Sequence, residues 1–281
     1  MGASGGRDEG AFLGLGRPYC DPAFARVVVI PAPYEASVSY GGGAARGPAG
    51  LIEASRQVEL YDRGLDAEPA LSYGIHTGPA LSIAPGEPPE RVFARLAGRV
   101  EEAAVNQRFP LVLGGEHSIT PGVLAGLARA GPGRVFDIVH LDAHADLRDE
   151  YEGNPHSHAC AARRLLEQPA CGKIWQLGIR SICPEEIDFI RARPDRVRAW
   201  FAEDLYPEAG GGWRRELAAG LAGKPVFVTF DVDALDPSVV PGTGTPEPDG
   251  LSWRLALEIG SLVAGAAAGV AGMDVVEAAP V

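Results

Sequence analysis

Short apolar runs recur along the chain, and the segments between most of them place apolar residues at helical spacing. Arg26–Ile30, Phe109–Leu113, Phe136–Leu141, Ile174–Gly178, Val197–Phe201, Val226–Phe230 and Val270–Val276 read as strands. Pro48–Glu59, Glu90–Val105, Pro121–Ala130, Pro184–Arg193, Trp213–Leu221 and Trp253–Ala264 read as helices. Thr120-Pro121 offers an N-cap followed by proline at the first helical position, and Ser252 is placed to cap the helix from Trp253. This alternation predicts an α/β fold, a mainly parallel sheet with helices on both faces. In such folds ligands bind beyond the carboxyl ends of the strands. Residues 1–22 follow no period and read as a flexible N-terminal arm ahead of a single domain, residues 23–281.

Polar residues interrupt the pattern most sharply at strand ends. Asp142-Ala143-His144-Ala145-Asp146 and Asp231-Val232-Asp233 each follow an apolar run and place carboxylates and an imidazole two residues apart. In an extended chain, residues two apart share a face, so both stretches aim their polar groups at one spot. Like charges crowded this closely raise one another's pKa unless a positive centre sits among them. A lone Asp-x-Asp belongs more often to a solvated turn, but Gly114-Gly115-Glu116-His117 ends a third strand at the same sheet edge. The resulting ligand set is His117, Asp142, His144, Asp146, Asp231 and Asp233, with no thiolate, which suits Mn²⁺ better than a structural zinc. Four carboxylates balance two divalent ions and leave a single ion two charges short. Two ions can share a bridging water and lower its pKa to give hydroxide at neutral pH. His140 has the parity of Asp142 but lies deeper in the apolar run, as a core histidine or one that supports a ligand from behind.

Composition narrows the partners. The 281 residues carry a formal net charge of −12, which disfavours nucleic acid and anionic membranes and is compatible with a cationic small substrate. The four cysteines form no CxxC pair and read as reduced thiols of a cytoplasmic protein. No basic-then-apolar leader opens the sequence, Gly6 stands where myristoylation wants Ser or Thr, and the longest uncharged run, Ile259 to Met273, is too short and Gly-rich for a membrane span.

At Gly114-Gly115-Glu116-His117-Ser118, Asp142-Ala143-His144-Ala145-Asp146-Leu147-Arg148, Thr229-Phe230-Asp231-Val232-Asp233-Ala234-Leu235-Asp236-Pro237 and Met273-Asp274-Val275-Val276-Glu277, the chain resembles the ureohydrolases, the arginase and agmatinase family. The resemblance runs from about Val27 to the C-terminus. It implies a three-layer α/β/α sandwich with an eight-stranded parallel sheet, one strand more than the apolar runs supply, and a trimeric or hexameric homo-oligomer. It also implies that His117 and Asp146 hold one Mn²⁺, His144 and Asp233 the other, with Asp142 and Asp231 bridging. The reaction implied is hydrolysis of a guanidinium group to urea and an amine, with Asp146 passing a proton to the leaving nitrogen.

His158, in Ser157-His158-Ala159, resembles the agmatinase branch's mobile-loop histidine that shuttles protons; spacing alone allows a solvent-exposed loop histidine. Glu277 resembles the glutamate that pairs with the guanidinium; alone it reads equally as a strand-end surface charge. Arginases carry a small polar residue where this chain has Arg148, and Pro33–Tyr40 with Gly47-Pro48 looks agmatinase-like, which favours agmatine, giving putrescine, over arginine. Aminopropylagmatine is close behind: Asp149, Glu150 and Glu152 either receive its extra ammonium or form a solvated loop. Gly41–Arg46 departs from the Arg and Pro that many agmatinases place there. The sequence stops at Val281, where the family usually continues, so the domain is expected to lack the last helix. Two other classes remain open: zinc-dependent deacetylases share the fold and a strand-end Asp-x-His but need one ion, and an inactive binding protein would not require the complete ligand set found here.

Overall fold

The order in which the apolar runs join one sheet decides which polar strand ends become neighbours. The computed structural model describes residues 8–206 and 210–280. The strands are β1 (Val27–Ala32), β2 (Ile75–Thr77), β3 (Phe109–Gly114), β4 (Phe136–Leu141), β5 (Cys171–Ile179), β6 (Val197–Phe201), β7 (Pro225–Asp231) and β8 (Gly269–Val276). The helices are α1 (Gly47–Ser55), α2 (Pro69–Tyr73), α3 (Pro89–Val105), α4 (Thr120–Ala130), α5 (Ala161–Leu166), α6 (Pro184–Ala192), α7 (Gly212–Leu221) and α8 (Trp253–Ala266). All strand pairs are parallel, in the order β2-β1-β3-β8-β7-β4-β5-β6. The last strand in sequence is thus inserted between β3 and β7. Four carboxyl ends, of β3, β8, β7 and β4, stand side by side there, which is where a parallel sheet presents a ligand site.

Neighbouring residues of one strand enter opposite cores. Val28 and Ile30 of β1, Ile138 of β4 and Phe227 of β7 pack with α3, α4, α5 and α6 on one face. Val139 and Val226 pack with α7 and α8 on the other, while Val29 and Leu113 meet α1 and α2 there. This is the three-layer α/β/α arrangement. The longest helix, α3, shows the logic locally: Val92, Leu96 and Val100 recur every four residues on its buried face. Removing each such side chain from water stabilises the fold by roughly 1.5–3 kcal/mol. Proline in the first turn of α1, α2, α3, α4 and α6 fixes where these helices begin.

All seven apolar runs are strands. The eighth, β2, is an edge strand of three residues, too short to show alternation, and α2 and α5 are too short to show a helical period. Ser252 caps α8, its hydroxyl accepting from the Leu255 amide at 3.2 Å. Thr120 does not cap α4. It is already helical, and its hydroxyl is drawn to the buried carboxylate of Asp274 at 2.9 Å. The expected flexible arm also needs correction from Asp8 onward, residues 1–7 lying outside the described residues. Ala11 is buried, Leu15 packs against β1, β2 and α1, and the Phe12 and Leu13 amides donate to Thr77 Oγ1 and Ser55 Oγ, both at 2.8 Å.

Candidate metal centre

Each strand end delivers its polar residue by a different local device. Asp231 is the last residue of β7, and Asp142 directly follows β4. Their partners do not continue the extended chain, so the shared-face reading of the two stretches holds only in part. Val232–Ala234 is a 3-10 turn, started by the Asp233 amide donating to Asp231 Oδ1 at 2.9 Å. Asp146 takes a left-handed backbone with φ of 53°, and Glu277, just past β8, does the same at 62°. A non-glycine residue pays for that conformation, and such strain concentrates at functional positions. His117 opens a 3-10 turn after β3, and the preceding Gly115 is obligatory: a Cβ there would lie 1.9 Å from the Tyr34 carbonyl oxygen.

These devices converge on two adjoining clusters. His117 Nδ1 lies 3.0 Å from Asp142 Oδ2, 3.1 Å from Asp146 Oδ2 and 3.3 Å from Asp231 Oδ2. His144 Nδ1 lies 3.1 Å from Asp233 Oδ2 and 3.5 Å from Asp142 Oδ1. All six expected ligands therefore meet at one spot, Asp142 belonging to both clusters. His117 Nδ1 is buried yet makes no hydrogen bond, although three carboxylate oxygens surround it. A buried lone pair aimed into carboxylates without hydrogen-bond geometry fits a metal ligand, and the donor set of oxygen and imidazole fits divalent ions.

The electrostatics make the same demand. Burial alone would depress the His117 imidazole, but Asp142, Asp146 and Asp231 outweigh it and hold its pKa well above the ordinary value. His144 is likewise opposed by burial and pushed up to about 12 by Asp142 and Asp233. Burial, with the charges of Asp233 and Asp142, raises Asp231 well above the carboxylate range, and burial with Asp142 raises Asp233. Asp142 goes the other way despite its burial, held low by three histidines. The cluster is starved of positive charge, and without ions it recruits protons to supply it.

A shell of support, read in the sequence only at His140, fixes these side chains. His117 Nε2 meets Thr229 Oγ1 at 2.9 Å, and behind it Thr120 Oγ1 donates to Asp274. His140 lies close to His117, Asp142 and Asp146, but its hydrogen bonds set it behind Asp142. Its Nε2 lies 2.7 Å from Asp142 Oδ2, and its Nδ1 faces the Gln176 amide nitrogen at 2.9 Å, so Gln176 donates to Nδ1 and Nε2–H donates to Asp142. Arg180 clamps the Asp233 turn through the carbonyls of Asp233 at 2.7 Å and Glu247 at 2.8 Å. Thr229 carried the same kind of signal as His140, sharing the face of Asp231 two residues on. Gln176 and Arg180 come from segments distant in sequence from the residues they hold.

A cavity of about 250 Å³ opens beside the clusters, lined in part by His144, Asp146, Arg148, Tyr151, His158 and Glu186. His158 is half-buried at its wall, whereas His156 turns away to Glu90 at 3.1 Å. Glu277 is buried, not a surface charge; its Oε1 accepts from the His117 amide at 2.6 Å, and burial pushes its carboxyl up to about 8. Arg148 stacks over Tyr151 at 5.1 Å. Of the loop acids, Asp149 is engaged by Arg164 at 2.6 Å, and Glu150 and Glu152 are exposed and line no part of the cavity. No helix among the described residues is long and apolar enough to cross a membrane, and the four cysteines are unpaired.

Residues 25–281 match the family model described as the arginase family. An N(1)-aminopropylagmatine ureohydrolase of Synechocystis is 38% identical over 82% of this chain and 74% of the relative. An agmatinase of Bacillus cereus is 33% identical over 92% of this chain and 86% of the relative. The crystal structure of the agmatine ureohydrolase of Thermoplasma volcanium superposes with a TM-score of 0.78 at 30% identity, covering 92% of this chain and 83% of that one.

Proposed function

Because the chain belongs to the arginase family, we propose that it hydrolyses the guanidinium group of agmatine to urea and putrescine at a centre of two Mn²⁺ ions. The observation that carries the reading is the convergence of His117 and His144 with four carboxylates around an unpartnered buried imidazole nitrogen, beside an open cavity. His117 and Asp146 would hold one ion, His144 and Asp233 the other, and Asp142 and Asp231 both. When bound, the two ions supply the charge the carboxylates lack and activate water for attack on the guanidinium carbon.

The residues around the ions then bind, orient and move protons. Glu277 has one carboxylate oxygen committed to the His117 amide, and its second pairs with the substrate's guanidinium. A permanently cationic partner is what a buried carboxyl with a pKa raised to about 8 needs in order to ionise. As water oxygen bonds to carbon, the carbon–nitrogen bond to the alkyl chain breaks, Asp146 hands the departing nitrogen one proton of the water, and the second, lost as the urea carbonyl forms, leaves on the amine as its ammonium charge. His158 exchanges protons between the site and solvent from the cavity wall. The reading includes a cytoplasmic homo-oligomer.

Aminopropylagmatine is the second reading, favoured by the Synechocystis relative. The engagement of Asp149 by Arg164 weighs against this loop as the receptor of its extra ammonium group. Urea release from agmatine, aminopropylagmatine and arginine by the Mn²⁺-loaded protein ranks the substrates. The largest kcat/KM is expected with agmatine and the smallest with arginine; no urea from any of the three would overturn the assignment.

A further inference from the structure

The loop after β1 lays two serines against His158, and their hydroxyls meet opposite nitrogens of its ring. Ser37 Oγ lies 3.2 Å from Nδ1 and also accepts from the His158 amide at 3.0 Å. Ser39 Oγ lies 3.2 Å from Nε2. The two serines are not equivalent. Ser37 donates its hydroxyl proton to Glu116 Oε1 at 2.8 Å, and the buried Glu116 carboxylate accepts further from the Ala36 amide at 2.6 Å, the Ser37 amide at 2.7 Å and Ser118 Oγ at 2.5 Å. A hydroxyl has one proton and two lone pairs, and a carboxylate is a stronger acceptor than a neutral imidazole. With its proton given to Glu116 and one lone pair given to the His158 amide, Ser37 has only a lone pair left for Nδ1. Two lone pairs facing each other at 3.2 Å repel, so Nδ1 carries the hydrogen.

We propose that Glu116 and Ser37 are positioning residues that hold His158 as its Nδ1–H tautomer, which leaves Nε2 as the nitrogen that takes up and releases the proton. The inference rests on the shuttle role proposed for His158 and names the atom that performs it. Ser39 suits the other side of the ring. Its hydroxyl makes no second hydrogen bond among the described residues and it is exposed, so it rotates to donate to bare Nε2 and to accept from Nε2–H. A proton leaving Nε2 therefore meets a hydroxyl that opens to solvent.

The test is the ring tautomer, read by nitrogen NMR of the full chain labelled at histidine and loaded with Zn²⁺, a diamagnetic ion of the same charge. The His158 signals are identified by their loss in His158→Asn. The wild type is expected to show Nδ1–H, Ser37→Ala to move the ring towards Nε2–H, Ser37→Thr to restore the wild-type pattern, and Ser39→Ala to leave it in place. In turnover, Ser37→Ala should lower kcat by about tenfold and change KM by less than about twofold, with Ser37→Thr recovering the loss. Nε2–H in the wild type, or a Ser37→Ala spectrum identical to it, would overturn the proposal. A wild type that releases no urea would defeat the shuttle role of His158 instead, whatever the spectra show.

Discussion

Asp142, Asp231 and Asp233 divide their carboxylate oxygens in the same way. Oδ1 of each accepts a backbone amide, from His144, Asp233 and Ala143, while Oδ2 faces a histidine, and Asp142 Oδ1 also lies 3.5 Å from the His144 ring. The sites are thus built before any ion arrives, at the cost of holding like charges together. Asp231→Asn keeps the shape and removes one charge, so Mn²⁺ affinity, measured calorimetrically, should fall by a hundredfold or more, on the order of the upper range for perturbing a metal site. Urea release should fall with it, while the ion-free variant melts no lower than the ion-free wild type, because the repulsion raising Asp231 is gone. The imidazoles set the pH dependence. His144 is raised to about 12, far above its unfolded value of about 6.5, so the ion-free site is protonated at neutral pH and each ion must expel protons. Affinity should therefore rise with pH and fall towards acid, with proton release visible as a buffer-dependent binding heat. The convergence of these side chains was legible in the sequence because all follow apolar runs and five of them sit two residues apart. Thr229 and Gln176, which hold His117 and His140, and Glu116 and Ser37, which hold His158, were not read as supports, because each acts on a residue 36 to 121 positions away, a relation that only the fold creates.

The elements turn that local chemistry into a fixed site. Inserting β8 between β3 and β7 brings Glu277 beside His117, 160 residues earlier, where a single hydrogen bond joins them. Gly115 is the tightest point of this junction. Gly115→Ala would drive a methyl group into the Tyr34 carbonyl, displacing the loop that carries Ser37 and Ser39. Expected are a loss of stability of about 1–3 kcal/mol, seen as a lower denaturant midpoint with unchanged slope, and weaker Mn²⁺ binding through His117. Strands and long helices announced themselves through their periods. Edge strand β2 and helices α2 and α5 did not, since three to six residues complete too little of a period to register. The first residues after Asp8 looked like a loose arm because their apolar side chains are isolated in sequence, and they are buried through contacts with α1 and β2 that no local pattern encodes.

At the scale of the whole molecule, an acidic chain surrounds an acidic centre. A net charge of −12 favours the approach of a cation and is screened by salt. kcat/KM for agmatine should therefore fall as ionic strength rises, with the change carried mainly by KM; a rise would contradict electrostatic capture. Strand–helix alternation made the α/β class readable, and the paired motifs made the family readable. The substrate's far end was not readable in that way: the loop acids left open a receptor for an extra ammonium or a solvated loop, and in the fold they are paired with arginine or face solvent. The most direct test of the account is to titrate the metal-free protein with Mn²⁺ while following urea released from agmatine. Activity rising to a plateau at two ions per chain is the predicted result. A plateau at one ion, or binding of two without urea, would contradict it.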